Sequence, residues 1–208
     1  MKKAIVVDLD QTLVRVNTFR VYIIYVSRRA MALFRFDIVL SIFLFVTMRK
    51  IRLITHSFMK RQILLASKSF MTFDRLNELA DLLLVNVNQN VLTLLSEYKG
   101  KGYYTCLSTA APISYSSIIS KRMNFDGICA TDMPISGKVW HENVRTEKCK
   151  NTLSFLSQQG LEISVFLTDH YDDLPLLLVE KDKNVLVNPS SKTESILRNS
   201  EVSYVVLK

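Results

Sequence analysis

Four groups of residues in this 208-residue chain have the types and spacing to do chemistry, and each stands beside an apolar run or a helix start. The first is Asp8-Leu9-Asp10, which follows Ala4-Ile5-Val6-Val7 and precedes Gln11-Thr12. Two carboxylates this close repel each other, and a bound cation relieves the repulsion. The same residues also suit an Asx-rich turn, with Thr12 as a cap. The second is Ser108-Thr109, ahead of a helix opened by Pro112. A hydroxyl beside free N–H groups there forms either an anion site or an ordinary N-cap. The third is Lys148 with Lys150 near a helix start, where a lysine opposes the dipole and an anion would hold it; a solvated lysine is the plainer option. The fourth is Asp169, Asp172 and Asp173, three acids in five residues. They suit a second cation contact or a capped turn.

The elements that must position these groups alternate. Ala4–Val7 reads as a strand buried on both faces of a parallel sheet, and ligands in such sheets bind outside the carboxyl ends of strands. Downstream, the pattern predicts a helix over Val91–Tyr98, a strand over Tyr103–Leu107 and a helix over Ile113–Lys121. A strand over Gly127–Ala130 and one arm of a small hairpin over Gly137–Trp140 come next. Then follow a helix over Glu147–Gln159, a strand over Val165–Thr168 and a helix over Asp172–Val179. Val185–Val187 and Val202–Leu207 close the series as strands. This order gives an α/β fold, a three-layer Rossmann-like core on a parallel sheet.

Residues 13–87 break the alternation. Four helices are expected, capped by Asn17 or Thr18, by Asp37, by Thr55 or Ser57, and by Thr72. Between Leu13 and Lys68 eleven Lys and Arg face one acid, Asp37. The segment therefore carries +10, and the rest of the chain −2 of the overall +8. A basic, apolar, all-helical cap over 13–87 follows, set into a core of 1–12 and 88–208. Ile38–Met48 is the most apolar stretch and far shorter than the ~20 residues of a membrane span. It suits a buried helix, or else a helix lying in an anionic membrane interface. Composition, 49% hydrophobic and 22% charged with an odd three cysteines, fits a globular protein with reduced thiols. No secretory signal is visible, so a cytoplasmic protein is expected, peripheral at the membrane in the second reading of that helix.

The order Val7-Asp8-Leu9-Asp10-Gln11-Thr12-Leu13, Leu107-Ser108-Thr109, Glu147-Lys148 and Thr168-Asp169-His170-Tyr171-Asp172-Asp173-Leu174-Pro175 resembles the haloacid dehalogenase superfamily of phosphohydrolases. The insertion after Thr12, the Asp-Asp-Leu-Pro-Leu-Leu run and Val187-Asn188-Pro189 look like its phosphoserine-phosphatase-like branch. The resemblance implies a phosphatase working through an aspartyl-phosphate. Asp8 would attack phosphorus, and Asp10 would protonate the leaving oxygen and then activate water. Mg²⁺ would sit on the Asp8 carboxylate, the Asp10 carbonyl and Asp169, with Asp173 completing its surroundings or orienting Lys148. Ser108 and Lys148 would hold phosphoryl oxygens, with Thr109 and Thr12 beside them; Lys150 competes with Lys148 for its role.

Two departures bear on specificity. Gln11 replaces the glycine common between the second Asp and Thr. Phosphoserine phosphatases carry a glutamate nine residues after the nucleophile, and Asn17 stands there here. The expected substrate is therefore an anionic or amphiphilic small-molecule phosphomonoester rather than phosphoserine. Asn17, Lys60, Arg20, Arg15, His56 and Arg61 are the candidates to contact it. The alternatives are a phosphotransferase or mutase using the same intermediate, and a membrane-surface module with an inactive core. No nucleic-acid partner is expected.

Overall fold

The computed structural model describes residues 2–208. Strand β1 (Lys2–Val7) is followed by four helices, α1 (Thr18–Ala32), α2 (Phe36–Lys50), α3 (His56–Ser67) and α4 (Phe73–Leu84). After α5 (Gln89–Gly100) come β2 (Tyr104–Pro112), α6 (Ile113–Arg122), β3 (Gly127–Thr131), α7 (Arg145–Gln158) and β4 (Leu161–Thr168). A short 3₁₀ turn (Tyr171–Asp173) leads into α8 (Leu174–Leu177), β5 (Lys183–Val187), α9 (Ser191–Asn199) and β6 (Val205–Leu207).

The strands form one parallel sheet in the order β3-β2-β1-β4-β5-β6. The chain builds outward from β1 to β3, then crosses to β4 on the other side of β1. That reversal opens a crevice beyond the carboxyl ends of β1 and β4, where doubly wound folds bind ligands. The register sets Val7 beside Leu107 on one side and Leu167 on the other. Asp8 and Asp169 thus emerge side by side from adjacent strand ends.

Alternation along β1 divides the core. Ala4 and Val6 face a cluster with Phe166, Leu156 of α7, Leu176 of α8 and Leu197 of α9. Ile5 and Val7 face the opposite cluster, which runs on through Val91, Tyr115 and Ile119 into Tyr22, Ile63, Leu64 and Leu79 of the four-helix segment. That segment is therefore welded to one face of the sheet by a continuous apolar interior. Gly127 lets β3 approach β2: a Cβ there would stand 2.5 Å from the Tyr104 hydroxyl and 2.7 Å from the Phe155 ring.

Several expectations shift. Asn17 and Thr55 do cap α1 and α3, accepting from the Arg20 and Phe58 N–H groups. Asp37 lies inside the first turn of α2 and is gripped by Arg35 instead of capping the helix. Gly137–Trp140 forms no strand; the Trp140 indole donates to the Asp132 carbonyl across an irregular loop. The expected helix over Asp172–Val179 is shorter and split into the 3₁₀ turn and α8, because Pro175 brings no N–H. Helix α9 has no counterpart in the sequence reading. No helix among the described residues is long and apolar enough to cross a membrane.

Candidate active site

A cleft of about 500 Å³ opens at the β1/β4 crevice. Its sheet side is formed by Asp8, Asp10, Lys148, Asp169 and Asp173, its helical side by Asn17, Phe19, His56 and Lys60. Asp8 directly follows β1, and its N–H donates to the Leu167 carbonyl at 2.9 Å, fixing it against β4. Lys148 rises from the first turn of α7, and its Nζ donates to Asp8 Oδ1 and to Asp173 Oδ2, both at 2.7 Å. Asp173 Oδ2 also accepts from the Thr168 hydroxyl at 2.6 Å. All four side chains are buried. Lysine at a helix start is here held by two carboxylates, which more than offset the dipole.

Burial alone would pull the Lys148 ammonium down, but Asp173 and Asp8 outweigh it and hold it charged, above its ordinary range. Lys150 is exposed, so Lys148 is the lysine that enters the cleft. Asp10 Oδ1 accepts from the Thr18 N–H at the start of α1. Burial nonetheless pushes the Asp10 carboxyl above its usual range, against that N–H and the Thr18 hydroxyl. Asp169 is pushed up to about 7, first by burial and then by repulsion from Asp173.

The donor set fits a hard divalent cation. Among the described residues, none donates a hydrogen bond to the second Asp8 oxygen, and none but Asp169 itself to the Asp169 carboxylate. Their mutual repulsion, with Asp10 beside them, is the feature a cation would relieve. Among the described residues no three His, Cys, Asp or Glu side chains form a closed cage. Mg²⁺ needs none, since it takes one or two carboxylates and completes its shell with carbonyls and water.

Other expected site residues lie elsewhere. Ser108 is inside β2 rather than at its end, and its hydroxyl pairs with Thr152 of α7 at 2.7 Å, away from the cleft lining. The Thr109 hydroxyl accepts from the Ala111 N–H at 3.0 Å, so β2 meets the cleft through Ala110 and Ala111. Thr12 is buried, its hydroxyl has no partner among the described residues, and it does not line the cleft. Arg20 and Arg15 are exposed outside it, and Arg61 donates to the Ile135 and Lys138 carbonyls. Asp173 serves Lys148 and Thr168, the orienting role, rather than facing a cation with its Oδ2. Gln11 takes a left-handed backbone, φ 57°, which accounts for glycine being common there.

Sequence reasoning missed Glu142. Lys60 of α3 donates to the Glu142 carboxylate and to the Ala110 carbonyl at 2.8 Å, both side chains almost fully buried. Asn143 pins that loop by donating to the Thr109 and Cys129 carbonyls at 3.0 and 3.2 Å. Glu142 lies in an irregular stretch with no motif around it, and its partner is remote in sequence. Phe19 of α1 stacks on Tyr22 and stands under the Lys60 ammonium.

The model of the haloacid dehalogenase-like hydrolases matches residues 5–178. The chain belongs to that family. No curated protein matches it in sequence. Among solved structures, a protein of unknown function from Bordetella pertussis Tohama I superposes with a TM-score of 0.74 at 17% identity, covering 100% of this chain and 99% of that one. A probable phosphoserine phosphatase from Vibrio cholerae gives 0.70 at 12%, covering 99% and 60%. A phosphoserine phosphatase captured as a phospho-aspartyl intermediate analogue gives 0.57 at 14%, covering 99% and 93%. At these identities the likeness is one of fold alone, and the family that the chain belongs to is one of hydrolases.

Proposed function

We propose that the chain is a Mg²⁺-dependent phosphomonoester hydrolase acting through an aspartyl-phosphate on Asp8, with residues 13–87 as a cap over the core. The observation that supports this most is the buried Asp8–Lys148–Asp173–Thr168 chain beside Asp10 and Asp169 at one sheet crevice. An Asp8 oxygen attacks phosphorus as the bond to the leaving oxygen breaks, and that oxygen takes its proton from Asp10. A water then attacks the phosphorus of the aspartyl-phosphate and gives its proton back to Asp10, and the Asp8–phosphorus bond breaks. The raised Asp10 carboxyl suits a group that must first donate. Lys148, fixed by Asp173, lies where it can meet charge growing on the phosphoryl oxygens. Asp8, the Asp10 carbonyl and Asp169 would hold Mg²⁺, which supplies charge neutralisation for the transferred phosphoryl group.

The substrate's organic part meets Asn17, Phe19 and His56, while Lys60 is already neutralised by Glu142. The α1 residues that line the cleft, the Asn17 cap and Phe19, present an amide and an aromatic ring rather than an acid. This favours an amphiphilic phosphomonoester over phosphoserine. The test is Mg²⁺-dependent hydrolysis of an aryl phosphate by the native chain and by Asp8→Asn, followed by phosphoserine and an alkyl phosphate compared by kcat/KM. Activity that survives Asp8→Asn would overturn the nucleophile; phosphoserine preferred above all others would overturn the substrate class.

A further inference from the structure

Helix α2 is apolar on both sides. Ile38 and Ile42 are buried against the rest of the helical segment, yet Phe36, Leu40, Phe43 and Leu44 form a stripe on the opposite side. Leu40 and Phe43 are 67% and 66% exposed. The patch continues into the preceding turn at Phe34, 78% exposed, and into the following one at Leu53, 68% exposed. A surface helix ordinarily keeps charged or polar residues on its outer side, and monomers rarely leave so continuous an apolar area in water.

Charge decides what covers it. Arg49, Lys50 and Arg52 stand at the end of α2, all exposed and without an acidic partner among the described residues. The one acid between Leu13 and Lys68, Asp37, is occupied by Arg35. A second copy of this face would bring the same cations and no free anion, so self-pairing is opposed by charge. At fifteen residues α2 is about 22 Å long, too short to span a bilayer and suited to lying in its plane.

We infer that the outer face of α2 docks on an anionic lipid surface, with Phe36, Leu40, Phe43 and Leu44 entering the interface and the flanking cations meeting headgroups. The α2–α3 turn carries the patch to Leu53, and three residues later the chain reaches His56 in the cleft wall. The docking itself does not depend on the catalytic reading, because an inactive chain would bind equally well.

The experiment is co-sedimentation of the full chain with vesicles of phosphatidylcholine alone and of equal phosphatidylcholine and phosphatidylglycerol. Gel filtration and hydrolysis of a soluble aryl phosphate accompany it. The native chain is expected to sediment with the mixed vesicles only, and less as salt rises. Leu40→Glu with Phe43→Glu should reduce the partition at least tenfold while leaving aryl phosphate hydrolysis unchanged. Lys50→Ser and Arg52→Ser should each reduce it roughly fivefold, the equivalent of about 1 kcal/mol per charge at the surface. The inference fails if a folded native chain ignores the mixed vesicles, or if binding is indifferent to the Leu40/Phe43 pair. It also fails if gel filtration shows a dimer that this pair of substitutions splits, which would make the face a contact between copies.

Discussion

Two buried lysines mark the two sides of the cleft, and their surroundings differ in kind. Lys148 lies between two carboxylates, Asp8 and Asp173, at the sheet crevice. Lys60 lies between one carboxylate, Glu142, and a backbone carbonyl, and joins α3 to the loop before α7. The first leaves the group with surplus negative charge that a cation can meet; the second is balanced within itself. The comparison teaches that burial and an acidic partner do not make a lysine a reactive group. The excess charge around it separates chemistry from fastening.

The largest effect that would break this contrast is on Lys148. Lys148→Met should lower kcat for an aryl phosphate by about 100- to 1000-fold. Leaving Asp8 and Asp173 buried without their cation should also cost on the order of 3–5 kcal/mol in urea unfolding. Lys60→Met should cost a similar amount of stability, because it strands Glu142, but change kcat less than about tenfold. Lys60→Met combined with Glu142→Leu should recover most of the loss, as apolar replacements of buried pairs often do. A double variant as unstable as the single one, or a Lys60→Met enzyme as slow as Lys148→Met, would erase the distinction.

A pH dependence sharpens the surplus-charge side. Asp169 ionises near 7 in the folded chain against an ordinary carboxyl near 3.8. Between those values the folded state holds the proton that the unfolded state has lost, so stability falls as pH rises from about 4 to about 7 and then levels off. The full change is on the order of 4 kcal/mol for the metal-free protein. Asp169→Asn should flatten the slope, and added Mg²⁺ should raise the melting temperature of the native chain at pH 8 but not of the variant.

The smallest effect concerns Gln11. Its left-handed backbone strains a side-chain-bearing residue by roughly 1 kcal/mol, and glycine relieves that strain at some entropic cost. Gln11→Gly should therefore shift chemical-denaturation stability by less than about 1 kcal/mol, whereas Gln11→Val should lower it by more than that.

What the sequence disclosed follows the range of the interactions involved. Asn17 and Thr55 act on N–H groups three residues away, so their caps could be read locally. The parallel core could be read because short apolar runs alternate with helical periods. Ser108 was misjudged because β2 extends to Pro112, which turns that hydroxyl towards α7, on the side shared by Cys106. Helix α9 escaped notice because only Thr193 and Leu197 of its nine residues are buried, leaving little apolar period to detect. Glu142 escaped because nothing within the loop requires an acid; the requirement comes from Lys60, on another element.

The central place of β1 has a consequence for how the chain is made. Lys2–Val7 precedes both of its sheet neighbours, which begin at Tyr104 and Leu161. During synthesis Ala4–Val7 must therefore wait, an apolar strand with both edges unpaired, until β2 and then β4 have left the ribosome. Contacts this remote in sequence form slowly and leave sticky segments open meanwhile. Lys2 and Lys3, directly before the strand, are placed to act as charged guards over that interval.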